Sequence, residues 1–189
     1  TPNQLQWRKE LAAAAAQAGD LTTAQRLYEQ MASVTPNSAA SWLEVAALEL
    51  QIQSRLDASA QRWNAFDGAL AKAAGQSANP LAIELLTAQR LAAEGHLDKA
   101  QTRLESVAEK LPKEPRVWRA LAIIRQQAGD PEGALAAIDK LQIVQPNSLE
   151  TDAMRASLLM EQSRADEALQ IFSDKFAAAS AEKAPDIGA

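Results

Sequence analysis

An alanine followed four positions later by a bulky apolar residue recurs along the chain, and three of its copies sit on a strict grid, at Ala100/Leu104, Ala134/Ile138 and Ala168/Phe172. Each pair lies 34 residues after the last. A turn residue five positions before each alanine keeps the same beat, as Gly95, Gly129 and Ser163. The repeating object is therefore a helix, a tight turn and a second helix. A fixed period of this length specifies a solenoid, because such a unit cannot bury its apolar face alone and stacking buries it.

Composition agrees with helices throughout. The apolar fraction is 47%, and most of it is Ala and Leu, the strongest helix formers, with no β-branched runs. Only four Trp, three Phe and one Tyr are present, so the helices must approach closely over small side chains. The net charge is −5 with Lys and Arg scattered among acids, which gives no clustered positive surface for nucleic acid. No apolar run reaches the roughly 18 residues needed to cross a bilayer, so no membrane insertion by this segment is expected. Zero Cys excludes disulfides, thiolate catalysis and Cys-type zinc sites. The chain begins at Thr1 without Met, which reads as a processed chain or a piece of a longer one and leaves the compartment open between cytoplasm and periplasm.

Individual units can be followed in the sequence. In the first, Leu11, Ala12 and Ala15 form one stripe, Ala18-Gly19-Asp20 ends the helix, and Ala24, Tyr28 and Met31 open the apolar face of the second helix. Val34-Thr-Pro36-Asn-Ser38 closes it, with Asn37 or Ser38 placed to cap the next helix. The fourth unit repeats the pattern from Trp118, Leu121 and Ala122 through Ala128-Gly129-Asp130 to Ala134, Ile138 and Leu141, and closes with Val144-Gln-Pro146-Asn-Ser148.

These residues resemble the tetratricopeptide repeat family in its bacterial form. Trp42-x2-Val45-Ala46 and Trp118-x2-Leu121-Ala122 match the family's first helix, and Ala24-x3-Tyr28-x2-Met31-x4-Pro36 and Ala134-x3-Ile138-x2-Leu141-x4-Pro146 match its second. The chain departs from the family in lacking the first-helix Tyr, with Ala15, Glu49, Leu91, Arg125 and Leu159 in that slot. The resemblance implies an all-α fold, an α-solenoid of about five antiparallel helix pairs wound into a right-handed superhelix. It is expected to cover residues 4–178 as units of about 5–38, 39–80, 81–114, 115–148 and 149–180. Residues 179–189 are expected to form a tail that is disordered or leads into further repeats.

The second unit is irregular. Trp42 to Pro80 spans ten residues more than Trp118 to Pro146, and Leu56, Trp63, Phe66 and Leu70 keep helical spacing, which predicts a long second helix over 56–74 and a loop over 75–79. Trp42 and Trp118 sit in the repeat register and are expected to pack between helices. Trp7 and Trp63 are off register, each fitted to cap an end of the stack or to stand exposed as a contact anchor.

No catalytic or metal constellation emerges. His96, the one histidine, occupies a turn slot held by Asp20 and Asp130 elsewhere, without partners at ligand or triad spacing. Glu105 and Glu109 lie one helical turn apart and read as a solvated face. Neither a catalytic nor a cofactor site is expected, and the protein is expected not to be an enzyme.

In the family the first helices line a concave face that receives an extended peptide or a partner helix. The resemblance places Lys9, Leu43, Ala47, Leu50, Leu85, Gln89, Arg116, Arg119 and Ile123 there as partner-binding residues, together with Ala13, Ala153 and Ser157. The chaperone-tail branch of the family grips a terminal carboxylate with Lys and Asn, and Ala13 stands where that Asn would follow Lys9. An apolar or amphipathic helix is therefore the better-matched ligand, with Arg116 and Arg119 meeting an acidic group. The function implied is a non-enzymatic scaffold for a protein or peptide partner. Two further readings are a repeat segment of a larger bacterial envelope protein assisting assembly of a secretion, polysaccharide-export or cofactor-maturation complex, and a regulatory appendage of an enzyme. Self-association through uncapped ends is a further expectation.

Overall fold

The computed structural model describes residues 2–34 and 39–182. Among them are ten α-helices and no strand: α1 Pro2–Gln17, α2 Leu21–Val34, α3 Ala39–Gln53, α4 Asn64–Gly75, α5 Pro80–Ala93, α6 Leu97–Lys110, α7 Pro115–Gln127, α8 Pro131–Val144, α9 Leu149–Glu161 and α10 Ala165–Glu182. The all-α, paired-helix expectation holds. The chain divides between Val107 and Ala108 into two compact units. In the first, α1 packs on α2, α2 on α3, α3 on α4, and α5 against α3. In the second, α7 packs on α8, α8 on α9, and α9 on α10. The closing string around Pro36–Ser38 and the tail from residue 183 lie outside the described residues.

The 34-residue beat marks a turn that ends one helix and starts the next. Gly19, Gly95 and Gly129 have φ of 85°, 83° and 74°, and Ser163 takes the same left-handed conformation at 61°. That conformation lets the following N–H fold back across the helix end. Asp20, His96, Asp130 and Arg164 thus donate their backbone N–H to the carbonyls of Ala15, Leu91, Arg125 and Leu159 at 2.8–2.9 Å. Two of these residues also open the next helix, since Asp20 Oδ1 accepts from the Thr23 N–H at 3.1 Å and Asp130 Oδ1 from the Gly133 N–H at 2.9 Å. Pro80, Pro115 and Pro131 start α5, α7 and α8, where no intrahelical donor is lost. Ser148 caps α9 through the Thr151 N–H, and His96 is exposed in its turn.

Small side chains set the helix spacing. Ala12, Ala46, Ala88, Ala122 and Ala156 are buried on the first helices, and Ala24, Ala100, Ala134 and Ala168 on second helices. Four residues after three of the latter, Tyr28, Leu104 and Ile138 fill the core. Close-packed interiors leave little room for a change of even one methylene at such contacts.

The second unit corrects one sequence expectation. Residues 56–74 do not form one long helix. Residues 54–63 are an extended turn between α3 and α4, where the other pairs are joined by 18–20, 94–96, 128–130 and 162–164. The apolar spacing of Trp63, Phe66 and Leu70 is that of α4 and its entry, whereas Leu56 is exposed in the turn. The turn is held by polar contacts that periodicity does not register: Gln53 Oε1 accepts the Arg62 N–H at 2.7 Å, and Gln61 Nε2 donates to the carbonyls of Leu56 and Ala93 at 3.3 and 3.2 Å. Trp63 is buried, edge-to-face with Phe66 at 5.7 Å between ring centroids, so it is a core residue and not an exposed anchor. Trp118 is half-buried, its Nε1 donating to the Pro112 carbonyl at 2.8 Å.

The left-handed turn gives a paired prediction. A Cβ at Gly129 would meet no atom within 4 Å, so the cost of Gly129→Ala is conformational alone, about 1 kcal/mol. Ser163→Gly at the equivalent turn should gain up to about 1 kcal/mol, offset in part by unfolded-chain entropy. Urea unfolding of both variants is expected to move the midpoint in opposite directions.

Candidate functional site

The second compact unit carries a groove between α7 and α9 of about 290 Å³. Its floor is Ala122, Ile138 and Leu158, and its walls are Ile123, Met154 and Ser157. Two polar bridges cross between the helices at its ends. Arg119 Nη2 lies 3.0 Å from Glu150 Oε2, and Gln126 Nε2 donates to the Glu161 carboxylate at 2.7 and 2.9 Å. Between the bridges Ile123, 41% exposed, stands with Met154 beside the hydroxyl of Ser157. The Nε of Arg119 is buried and has no hydrogen-bond partner.

Arg119 and Ile123 are thus brought together, with Ser157 opposite them on α9. Arg116 is not among the groove's lining residues. Its guanidinium is engaged with Glu114, Nε to Oε1 at 2.8 Å and Nη2 to Oε2 at 3.2 Å. That bond holds the Glu114 carboxyl below its ordinary range and raises the Arg116 guanidinium. Ala153 is exposed on α9.

The remaining predicted residues belong to the first compact unit. Lys9 is exposed and Ala13 half-buried on α1; Leu43, Ala47 and Leu50 are half-buried on α3; Leu85 is half-buried and Gln89 exposed on α5. Leu50 packs against the core around Tyr28 and Phe66. A second concavity in this unit, of about 390 Å³, is lined by Arg26, Glu29, Gln30, Ser33, Trp42 and Lys72. It is a charged surface in which the Lys72 ammonium sits 4.0 Å above the Trp42 ring, a cation–π contact.

Sequence reasoning missed Gln126, Glu150, Met154 and Glu161. Their signal is the repeat itself. Arg119 meets Glu150 31 residues on, and Gln126 meets Glu161 35 residues on, so a residue on one first helix faces positions about one period further along.

It also missed two buried acids. Asp152 is buried on α9, pairs with the Lys175 ammonium, and accepts from Gln142 Nε2 at 3.5 Å. Glu49 is buried on α3, where Gln25 Nε2 donates to it. Burial pushes the Glu49 carboxyl above its ordinary value of 4.5, opposed by the hydrogen bond from Gln53 and reinforced by the charge of Glu29. Among the described residues no cluster of three His, Cys, Asp or Glu could hold a metal ion, and no helix is long and apolar enough to cross a membrane.

Antiparallel helix pairs joined by left-handed turns on a 34-residue period define an α-helical repeat protein. Residues 91–158 match the tetratricopeptide repeat family model. It is similar in fold to a thermophilic protein of this kind from Thermus thermophilus, at 15% identity and a TM-score of 0.68 over 90% of this chain and 89% of that one. A tetratricopeptide repeat protein of Parabacteroides merdae superposes with a TM-score of 0.74 at 14% identity, over 90% of this chain and 63% of that chain. The Pseudomonas aeruginosa pilF protein gives 0.61 at 16% identity, over 92% and 77%. No curated protein matches the chain.

Glu49 gives a pH-dependent prediction. Because its folded-state pKa is raised, the folded chain binds this proton more readily than the unfolded chain, so stability falls as pH rises from the ordinary carboxylate value through the raised one. Glu49→Gln keeps an acceptor for Gln25 and removes the charge. Its urea midpoint is expected to exceed that of the parent at neutral pH and to converge with it as pH falls toward about 4.5; a gap independent of pH would rule out charge burial as the cause.

Proposed function

We propose that the chain is a non-enzymatic interaction scaffold whose second unit binds a peptide or helix from another protein in the α7–α9 groove. The observation that carries the reading is the apolar strip of Ile123 and Met154 over a buried floor, framed by polar bridges. An occupant suited to it presents apolar side chains at helical spacing toward Ile123 and Met154. An acidic group beside them would compete with Glu150 for the Arg119 Nη2. Tetratricopeptide arrays are generally protein-binding and non-catalytic, which supports the same class.

The test is selection of peptides from a displayed library on the parent chain, followed by affinity measurement on Ile123→Asp and Met154→Asp, both checked for unchanged helicity. Selected peptides should carry paired apolar residues three or four positions apart. Binding to either variant should weaken about 30-fold, the scale of a central contact worth about 2 kcal/mol. Peptides held equally by parent and variants would move the site elsewhere, and a selection that yields no binder would overturn the reading.

A further inference from the structure

The first and last described helices each expose residues that the repeat register buries elsewhere. On α1, Trp7 is 74% and Leu11 57% exposed. These stand five and one positions before the buried alanine of the first helix, Ala12. At the same offsets from Ala122, Val117 and Leu121 are fully buried, and Val45 is buried at the equivalent site before Ala46. On α10, Leu169 is 67% and Phe172 39% exposed, one and four positions after the buried Ala168. At these offsets from Ala134, Leu135 and Ile138 are buried on α8, and Tyr28 is buried on α2.

The interior of the first unit shows what such faces do when they meet. Tyr28 and Met31 of α2 share one core with Val45 and Leu48 of α3, so the second-helix face is covered by the first-helix face that follows it. Helix α10 carries the first half of that contact and α1 the second half. We propose that a second copy of the chain seats its α10, through Leu169 and Phe172, on α1, through Trp7 and Leu11. The contact continues the internal stacking from one chain to the next. It is heterologous, joining two different surfaces, and so does not close on itself in a dimer.

That property supplies the test. Sedimentation equilibrium of the full chain from micromolar to millimolar concentration should show an average mass that climbs past that of a dimer. Trp7→Glu and Phe172→Glu alter exposed side chains, so both should keep parental helicity, and each alone should remain monomeric. Mixed in equal amounts they should form a heterodimer that does not extend, because one variant retains an intact α10 face and the other an intact α1 face. A monomeric parent at all concentrations overturns the proposal, as would happen if an internal contact or another protein is what these faces serve. Self-association of Phe172→Glu through α1 alone, or of Trp7→Glu through α10 alone, overturns it equally by showing an isologous contact.

Discussion

The distance between paired helices depends on a buried alanine on each. Ala12 with Ala24, and Ala122 with Ala134, have no exposed surface or almost none, and a larger side chain at either position would push the helix axes apart. With the axes close, Tyr28, Leu104 and Ile138 reach the core from one turn further along, where their burial contributes about 1.5–3 kcal/mol each. The pair α3–α4 solves the same problem differently. Phe66 is fully buried ahead of the buried Ala69 and Ala73 of α4, and Trp63 closes over it edge-to-face. The extended turn 54–63 precedes that aromatic pair directly, and its anchor is Gln53, whose side chain accepts the Arg62 N–H.

That anchor belongs to a polar chain running through an otherwise apolar layer. Gln25 donates to Glu49, Gln53 also bonds Glu49, and Gln53 in turn receives Arg62, so α2, α3 and the turn are linked by groups that would each be costly to bury unpaired. The cost that remains is the charge on Glu49, which the raised pKa expresses. In the second unit Asp152 is equally buried but pairs with Lys175, and there a cation offsets the desolvation.

The period made the turns legible in the sequence: Gly95, Gly129 and Ser163 are marked by spacing alone, and all three are left-handed. The alanine positions were legible for the same reason. What periodicity could not carry was contact between helices. Trp63, Phe66 and Leu70 share a helical face, but that spacing cannot say where the helix begins, because the stop is set by Gln53 and Arg62 across the turn. Glu49 was visible as an oddity in the slot of an aromatic, yet its burial depends on Gln25, 24 residues earlier. In the groove, Arg119 and Ile123 followed from the face of α7 and Ser157 from that of α9, each helix read by itself. Met154, Glu150 and Glu161 required the offset between two facing helices, which packing fixes.

The energetics of the groove favour its apolar strip over its bridges. Glu150 is 60% exposed at its side chain and Arg119 31%, and an exposed ion pair is worth about 0–1 kcal/mol. A partner carboxylate that displaced Glu150 from Arg119 would therefore sacrifice little and gain a similar amount, which sets orientation more than affinity. Ile123 and Met154 differ because covering them removes apolar surface from water with no competing interaction to break. The floor of Ala122, Ile138 and Leu158 is already buried by the fold and supplies shape without needing to move. If the groove binds as proposed, its strength would come from how well a partner's apolar side chains fill the space between the two helices, and the polar ends would select which partner is admitted.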